Sequence, residues 1–225
     1  MPSQWPRKLI RGAIVLILRT TTNTEIEGLE KLRAVKGKAI AVANHLGRLD
    51  PGYVFLLADR DDIIMVVAEK YREVPIARWL VKHLDLLWLE RFEVDLGTIK
   101  EVLRRLDRGG ILFISPEGTR SQGASLLEGK PGVAYLAAKS GAPIIPFSLV
   151  GTEDRVVLQR WRKLGRARVR ISFGDPFTVP PLPKTDRDVF LRQQTDEIMA
   201  RIAALLPENY RGAYAKHPRV VQLIV

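Results

Sequence analysis

Short apolar segments alternate with segments of helical periodicity along this chain. Two of the short segments, KAIAVA at 38–43 and GILFIS at 110–115, are almost continuously apolar, which is typical of strands buried on both faces of a sheet. The pattern predicts strands at 24–28, 38–43, 62–67, 84–89, 110–115, 142–150 and 166–172, and helices at 4–20, 51–59, 72–83, 94–108, 130–140 and 186–206.

Strands that alternate with helices favour an α/β fold. We expect a single layered domain, in which a largely parallel, mixed sheet of about seven strands is flanked by helices, with strand 166–172 at the sheet edge. The predicted division of the chain is an N-terminal membrane-interface helix at 1–22, the α/β domain at 23–210 and a loose C-terminal tail at 211–225.

The segment ANHLGRLDP, residues 43–51, places a histidine and an aspartate around a turn. Within one helix, His45 and Asp50 would point about 140° apart, so they can meet only across a bend. Gly47 permits a sharp turn, and Asp50 before Pro51 is typical of an N-cap followed by the first helical residue. An aspartate that holds the imidazole would make His45 a general base. The alternative is an ordinary turn in which Asp50 only caps the helix.

Two further predicted strands end in polar and charged residues. These residues are Glu117, Gly118, Thr119 and Arg120 after strand 110–115, and Glu90 and Arg91 after strand 84–89. In an open parallel sheet, ligands bind beyond the carboxyl ends of the strands. We therefore expect these residues to share one site with His45. The alternative for the two arginines is a surface ion pair with the neighbouring glutamate.

The formal net charge of +11 predicts anionic partners: nucleic acid, anionic lipid or phosphorylated small molecules. Two stretches, 1–20 and 155–173, contain basic residues and no acidic ones. Apolar residues are interleaved with the basic ones in the first stretch, as in helices that lie in a membrane interface. A solubilising surface is the alternative for both stretches.

The absence of cysteine excludes disulfides, thiolate nucleophiles and cysteine-bound zinc. With only three histidines, no metal-ligand cluster is apparent, and we expect no metal. The early apolar run AIVLIL is flanked by Arg11 and Arg19 and is too short to span a bilayer. No small-residue cleavage site follows it, so we expect a cytoplasmic location without a secretory signal.

Four segments, NHLGRLD, LLWLER, SPEGTRS and APIIPFSL, occur in this order between residues 43 and 148. They resemble, in the same order, the N-H-x-x-x-x-D motif, a hydrophobic-acid-Arg motif, the F-P-E-G-T-R-S motif and the V-P-[IV]-x-P-V motif of the glycerolipid acyltransferases, typified by lysophosphatidic acid acyltransferase. The first and third motifs together are highly specific.

The resemblance implies transfer of a fatty acyl group from acyl-CoA or acyl carrier protein to the free hydroxyl of lysophosphatidic acid, which gives phosphatidic acid for phospholipid biosynthesis. His45 would remove the hydroxyl proton while Asp50 holds the ring, with no acyl-enzyme. No cofactor is expected beyond the acyl donor. The same resemblance implies a peripheral or monotopic enzyme at the cytoplasmic face of an anionic membrane.

The acceptor would be bound by the second and third motifs. Guanidinium groups can hold a phosphate with paired hydrogen bonds, which suits Arg91 and Arg120. Glu117 would orient an arginine or the acceptor, and the loop at Gly118 would stabilise the oxyanion. The proposed substrate-binding residues are Arg91, Glu117, Gly118, Thr119 and Arg120.

The sequence departs from the family motifs at three positions. Ser115 stands where phenylalanine is common, Asp85 where glycine is common and Glu90 where aspartate is common. The second motif is linked to acceptor choice in the family. Another lysolipid, glycerol-3-phosphate or a glycolipid therefore remains an alternative acceptor.

The fourth motif is associated with the acyl-donor side of the site in the family. The corresponding residues are Pro143, Ile144 and Pro146. The alternative is a sheet edge made rigid by proline, with ordinary core residues between.

A binding protein remains the alternative from another class. The stretch RVVLQRWRKLGRARVR at 155–170 places Trp161 among basic residues, as in modules that bind nucleic acid or another anionic surface. This alternative explains the charge but not the four motifs, and we expect no nucleic-acid partner.

Overall fold

The computed structural model describes residues 5–90 and 95–224. Its strands are β1 Thr22–Glu27, β2 Ala39–Ala43, β3 Ile63–Ala68, β4 Leu87–Leu89, β5 Ile111–Ile114, β6 Ile144–Val150 and β7 Ala167–Phe173. Its α-helices are α1 Trp5–Thr21, α2 Leu29–Ala34, α3 Asp50–Leu57, α4 Pro75–Leu84, α5 Leu96–Asp107, α6 Gly132–Ser140, α7 Asp154–Arg162, α8 Arg187–Ala204 and α9 Pro218–Ile224. The predicted single α/β domain is confirmed.

The described strands form one sheet in the order β1-β7-β6-β2-β5-β3-β4. Strands β2 to β6 run parallel, whereas β7 is antiparallel to β6 and β1 is parallel to β7. The largely parallel, mixed sheet is as predicted. The prediction that segment 166–172 forms the edge is wrong, because β1 pairs with the outer side of β7 along its whole length.

Apolar side chains fill both faces of the sheet, because alternate residues of a strand point in opposite directions. In β2, Ile40 and Val42 pack on the layer that contains α5, α6 and α8. Ala41 and Ala43 face the layer that contains α1 and α3. The continuous apolar strands therefore form the centre of a three-layer core, as expected from their composition.

The seven predicted strands are present, with the largest displacement in the fourth. Helix α4 continues to Leu84, and Asp85 ends it in the left-handed conformation with φ 57°, so β4 begins only at Leu87. A left-handed position favours glycine. This conformation gives a physical reason for the glycine that the related motif commonly has there.

Three described helices were not predicted: α2, α7 and α9. The expected loose tail is wrong for the described residues after α8. Short 3₁₀ turns and α9 pack there against the core, and Tyr214 and Val220 are buried. The division of the chain at residues 22 and 210 stays a prediction. Among the helices that the structure describes, none has the length and apolar composition needed to cross a bilayer.

Candidate active site

His45 lies just beyond the carboxyl end of β2, and a bend brings it to Asp50 at the start of α3. The His45 Nδ1 atom is 2.7 Å from the Asp50 Oδ2 atom, and the two side chains are 23% and 7% exposed. The predicted pairing across a turn is therefore present. A carboxylate at Nδ1 favours the tautomer that carries its proton there, which leaves Nε2 free to accept one.

Asp50 does not cap helix α3, contrary to the sequence prediction. Leu49 is at the N-cap position, and Asp50 is the first helical residue. Its Oδ2 atom turns back to the preceding loop and accepts the amides of Leu46 and Gly47 at 2.7 and 2.9 Å. Charge-assisted hydrogen bonds of this kind compensate for burial of the carboxylate and fix its orientation toward the imidazole.

Gly47 is required by close packing rather than by a left-handed turn. A Cβ atom at this position would lie 1.9 Å from the carbonyl oxygen of Thr152, which follows β6. The loop at 44–49 is here named the histidine loop. Its backbone therefore lies directly against the loop after β6, and only glycine allows this approach.

Asn44 also links the histidine loop to β6. Its buried amide group donates to the carbonyl of Leu149 and accepts the Leu149 N–H, both at 2.8 Å. This pair of bonds extends the contact between β2 and β6 beyond the last strand residue. The asparagine of the first motif therefore has a structural role that its sequence position alone does not reveal.

Glu117 holds the backbone of His45 instead of orienting an arginine. Its Oε1 accepts the His45 amide at 2.8 Å and its Oε2 accepts the Leu127 amide at 2.9 Å, while the Ser121 amide donates to the His45 carbonyl at 2.8 Å. Burial raises the pKa of Glu117, and the two amide donors oppose that rise. The third motif thus positions His45 from both sides of its backbone.

Arg120 pairs with Asp154, the first residue of α7, rather than with Glu117. Its Nη1 atom is 2.9 Å from Asp154 Oδ2, and its Nη2 atom donates to the Tyr71 hydroxyl at 3.3 Å. Asp154 also accepts the Arg48 amide at 2.7 Å. The alternative of a surface ion pair between Arg120 and Glu117 is therefore wrong.

The loop at Gly118 has two amides available at its end. Gly118 has φ +68°, and its own N–H donates to the Ser115 carbonyl at 3.2 Å. The amides of Thr119 and Arg120 donate to no described residue. Arg91 lies outside the described residues, so its predicted place beside Arg120 stays a prediction.

His45 borders two openings of different chemistry. On one side is an apolar cavity of about 160 Å³, whose lining includes Val54, Met65, Val66, Phe113, Phe147 and Leu149. On the other side is a polar cleft of about 370 Å³, whose lining includes Arg48, Lys70, Tyr71, Thr119, Arg120 and Arg155. The imidazole therefore stands between an apolar pocket and a cleft in which four basic side chains outnumber two acidic ones, Glu153 and Asp154.

The fourth motif contributes to the cavity through residues other than those predicted. Ile144 is fully buried and packs on the opposite face of the sheet, and neither Pro143 nor Pro146 lines the cavity. Phe147 and Leu149 reach it instead. The sheet-edge alternative is also wrong, because β6 lies between β7 and β2.

Sequence reasoning missed Lys70 and Asp154, which belong to the cleft. Both follow strands of the parallel set: Lys70 comes after β3, and Asp154 after β6. The rule that ligands bind beyond the carboxyl ends of strands applies to these strands too. Applied to every predicted strand, the rule would have found them.

These features define an α/β protein whose histidine–aspartate pair can activate a hydroxyl group beside an apolar pocket. Comparison with known proteins agrees. A family model described as Acyltransferase matches residues 23–150, which is more than half of the chain. The chain belongs to the acyltransferase family, as the motifs predicted.

The similar proteins have closely related names. The chain is 31% identical over 153 residues to the chloroplastic 1-acyl-sn-glycerol-3-phosphate acyltransferase of Arabidopsis thaliana, over 67% of this chain and 42% of that protein. It is 30% identical over 189 residues to the 1-acyl-sn-glycerol-3-phosphate acyltransferase of Escherichia coli, over 77% of this chain and 67% of that protein. The chain thus spans less than half the length of the Arabidopsis protein.

Among solved structures, the 1-acyl-sn-glycerophosphate acyltransferase PlsC from Thermotoga maritima shares the fold. The TM-score is 0.62 at 21% sequence identity, and the match covers 89% of this chain and 85% of that one. The α/β architecture therefore occurs in a solved protein of similar length.

Proposed function

We propose that this chain transfers a fatty acyl group from a thioester to the free hydroxyl of 1-acyl-sn-glycerol-3-phosphate, giving phosphatidic acid. One observation carries the proposal: His45 borders both the apolar cavity and the basic cleft. A fatty acyl chain suits the first opening, and a phosphorylated acceptor suits the second. The names of the related proteins in Arabidopsis and Escherichia coli support the same reaction.

In the proposed reaction, His45 Nε2 takes the proton of the acceptor hydroxyl as the oxygen attacks the thioester carbonyl. The new C–O bond gives a tetrahedral intermediate, the C–S bond then breaks, and the leaving thiolate takes the proton from the imidazolium. Asp50 at 2.7 Å stabilises the positive charge that the ring carries between the two transfers. No covalent enzyme intermediate is needed.

The developing oxyanion needs donors that are already in place. The amides of Thr119 and Arg120 donate to no described residue and belong to the loop that holds His45. We assign the oxyanion to these two amides. The Gly118 N–H is unsuited because it is bonded to Ser115.

The acceptor phosphate is assigned to the basic cleft. Arg120 is held by Asp154 and Tyr71, and Lys70 lines the same cleft. A guanidinium fixed by a carboxylate can present its remaining N–H groups to a phosphate without losing further side-chain entropy. Arg91 of the second motif stays in the proposal as an additional phosphate ligand on the strength of its motif.

The acyl donor is proposed to be acyl-CoA or acyl carrier protein, and the acceptor to reside in an anionic bilayer at the cytoplasmic face of a membrane. Helix α1 supports a membrane contact. Its inner side, including Ile14 and Leu18, packs on α3, yet Leu9, Leu16 and Ile17 are largely exposed. A helix with apolar residues on both sides can cover the core and lie in an interface at once.

The proposal is tested with purified variants, lysophosphatidic acid and both thioester donors. His45→Ala is expected to lower turnover by about 10²-fold or more, because a general base contributes about that factor. Asp50→Asn is expected to lower turnover as well, since the amide no longer stabilises the imidazolium. His83→Ala is the matched control, because His83 lies on α4, where its Nδ1 contacts the carbonyl of Trp79.

Retention of wild-type turnover by His45→Ala would refute the base assignment. A panel of other lysolipids, glycerol-3-phosphate and glycolipids tests the acceptor. If one of these is preferred at equal concentration, the proposed acceptor is wrong while the reaction stands. Salt-dependent binding of duplex DNA without any acyl transfer would favour the nucleic-acid module instead.

A further inference from the structure

Helix α7 and the turn that follows it expose unusual apolar surface. Of the nine residues of α7, only Val157 is buried, whereas Leu158 and Trp161 are 46% and 37% exposed. These two residues are three positions apart and therefore adjacent on the helix. The Leu164 N–H donates to the Trp161 carbonyl at 2.9 Å, which keeps Leu164 within a turn of them, and Leu164 is 99% exposed.

Basic side chains surround this apolar surface. Arg160, Arg162 and Lys163 are exposed, and none of them forms an ion pair with a described residue. The stretch 155–173 contains no acidic residue. Exposed leucine and tryptophan among unpaired arginine and lysine match the interface of an anionic bilayer, which accepts apolar side chains and attracts cations. Like charge disfavours a second copy, and a nucleic acid would leave Leu164 in water.

The strand registers place this surface at the same edge of the sheet as His45. Phe147 pairs with Ala43 at the end of β2, just before His45. Val150, the last residue of β6, pairs with Arg170 in the middle of the antiparallel β7, so the first half of β7 extends beyond the end of β6. The segment between these strands, which includes α7 and Leu164, therefore lies beyond the carboxyl ends of the parallel strands.

The same surface adjoins the end of helix α1. The Trp161 Nε1 atom donates to the Thr21 carbonyl at 3.2 Å, and the Arg166 Nε atom donates to the Thr22 carbonyl at 3.0 Å. Ile17, one turn before Thr21, is exposed. The exposed apolar residues of α1 and α7 therefore lie side by side.

We propose that Leu158, Trp161 and Leu164, with Arg160, Arg162 and Lys163, form a membrane-binding surface, here named the α7 surface. Its partner is an anionic lipid bilayer. Leu164 enters the interface, the cations bind lipid phosphate groups, and the edge of the sheet that carries His45 faces the bilayer. This inference deepens the proposed function, on which it rests for the presence of a lipid acceptor in that bilayer.

The test measures sedimentation of the full chain with vesicles of phosphatidylcholine, with and without phosphatidylglycerol. Leu164→Glu is expected to weaken binding to the anionic vesicles by about tenfold or more, because it removes the leucine that enters the bilayer interface and adds a negative charge. Val189→Glu is the matched control, since Val189 is exposed on α8, which packs on the face of the sheet opposite to α1, and the charge change is the same. It is expected to bind as the wild type does.

A second pair of variants tests the charges. Arg160→Gln with Arg162→Gln is expected to weaken binding to anionic vesicles by more than about tenfold and to leave the weak binding to phosphatidylcholine unchanged. Arg108→Gln with Lys139→Gln, just after α5 and on α6, is the control of equal charge. If both double variants lose vesicle binding equally, the loss comes from the net charge of the protein, and the proposal of the α7 surface is wrong.

Two further results would overturn the proposal. One is unchanged vesicle binding by Leu164→Glu while a dimer seen by analytical ultracentrifugation is lost, which would assign the surface to a second copy. The other is tighter salt-dependent binding of duplex DNA than of anionic vesicles. If the wild type binds vesicles through the α7 surface but transfers no acyl group, the membrane contact stands and the proposed function fails.

An activity assay distinguishes a membrane role of Leu164 from a direct role in the active site. Leu164→Glu is expected to keep wild-type turnover on a short-chain, monomeric lysophosphatidic acid and to lose about tenfold on the same headgroup embedded in anionic vesicles. Equal loss on both acceptors would show that Leu164 acts on the site itself and would overturn the membrane role.

Discussion

The buried amide of Asn44 makes the position of His45 depend on a pair of hydrogen bonds. Replacement by alanine would leave both the N–H and the carbonyl of Leu149 without their partners. We expect Asn44→Ala to lower the free energy of unfolding by about 2 to 4 kcal/mol and to lower turnover, because the loop before His45 loses its attachment. Urea unfolding measures the first effect. The exposed Asn23 provides the control, and an unchanged midpoint for Asn44→Ala would contradict the attachment.

Single residues were predicted well where the chemistry is local. His45 and Asp50 are five positions apart, so a turn of known geometry was enough to bring them together. The role of Glu117 could not be predicted in the same way, because its partner at His45 is 72 positions away. A motif shows that a carboxylate is present at a strand end. It does not show whether that carboxylate faces a ligand or a backbone amide.

At the level of elements, the contact of the histidine loop with the loop after β6 leaves no room for a side chain at Gly47. We expect Gly47→Ala to separate the two loops and to lower turnover by about tenfold or more, because misplacing a catalytic group by about 1 Å costs up to about 10²-fold. The free energy of unfolding should fall by about 1 to 3 kcal/mol.

Gly12→Ala is the control for that substitution, since nothing lies within 4 Å of a Cβ at this position of α1. Alanine should stabilise the helix there by about 0.5 to 1 kcal/mol. Turnover and unfolding are measured on both variants. Wild-type turnover in Gly47→Ala would show that the loops can move apart without consequence.

Ion pairs link helix α5 to the end of α4. The Glu101 carboxylate binds Arg104 and Arg105, and Arg105 also binds Asp85, the residue after α4. The hydrogen bonds from Arg104 and Arg105 lower the pKa of Glu101 from 4.5 to about 2. A lowered carboxyl pKa gives stability that is present above the unfolded value and is lost as the pH falls toward the folded value.

The free energy lost in Glu101→Gln should therefore be largest near neutral pH and should shrink below about pH 4.5. Its size should stay below about 1 kcal/mol, because the pair is partly exposed and screened by salt. Urea unfolding at a series of pH values measures the difference from the wild type, with the exposed Glu30→Gln as control. A difference that grows on acidification would contradict the pKa argument.

The elements that were not predicted have weak sequence patterns for a physical reason. Helix α7 has apolar residues at helical spacing, Val157, Leu158 and Trp161, but it is only nine residues long and most of its other residues are charged. Helices α2 and α9 are six and seven residues long, which is too short for such a repeat to be distinguished from a loop. A short apolar repeat of this kind can come from a loop as well as from a helix, so periodicity alone did not identify these three segments.

On the scale of the whole molecule, the class of fold followed from the alternation of buried strands and helices, whereas the order of the strands did not. The reversal at β7 depends on the segment between β6 and β7, where the exposed α7 gives no sign of a crossover. In addition, β1 pairs with the outer side of β7, so the strand that was predicted at the edge lies inside the sheet. Pairing between distant strands is a property of the assembled sheet, and local pattern cannot specify it.

The N-terminal helix is part of the fold as well as a candidate membrane contact, and this determines how its role can be tested. Leu18 is buried against α3, and the Tyr53 hydroxyl donates to Thr22 at 3.0 Å. Deletion of residues 1–20 would therefore expose the core, and lost vesicle binding would have two explanations. Leu16→Glu with Ile17→Glu changes only the exposed side of α1.

This double variant is expected to unfold at the wild-type urea concentration and to bind anionic vesicles about tenfold more weakly or worse, because it removes two apolar residues and adds two negative charges. Val189→Glu with Val221→Glu, on the exposed sides of α8 and α9, supplies the control of equal charge. If both double variants bind alike, α1 does not lie in the interface. If binding is lost only when Leu164 is changed, α7 alone makes the contact and α1 serves as a cover for α3.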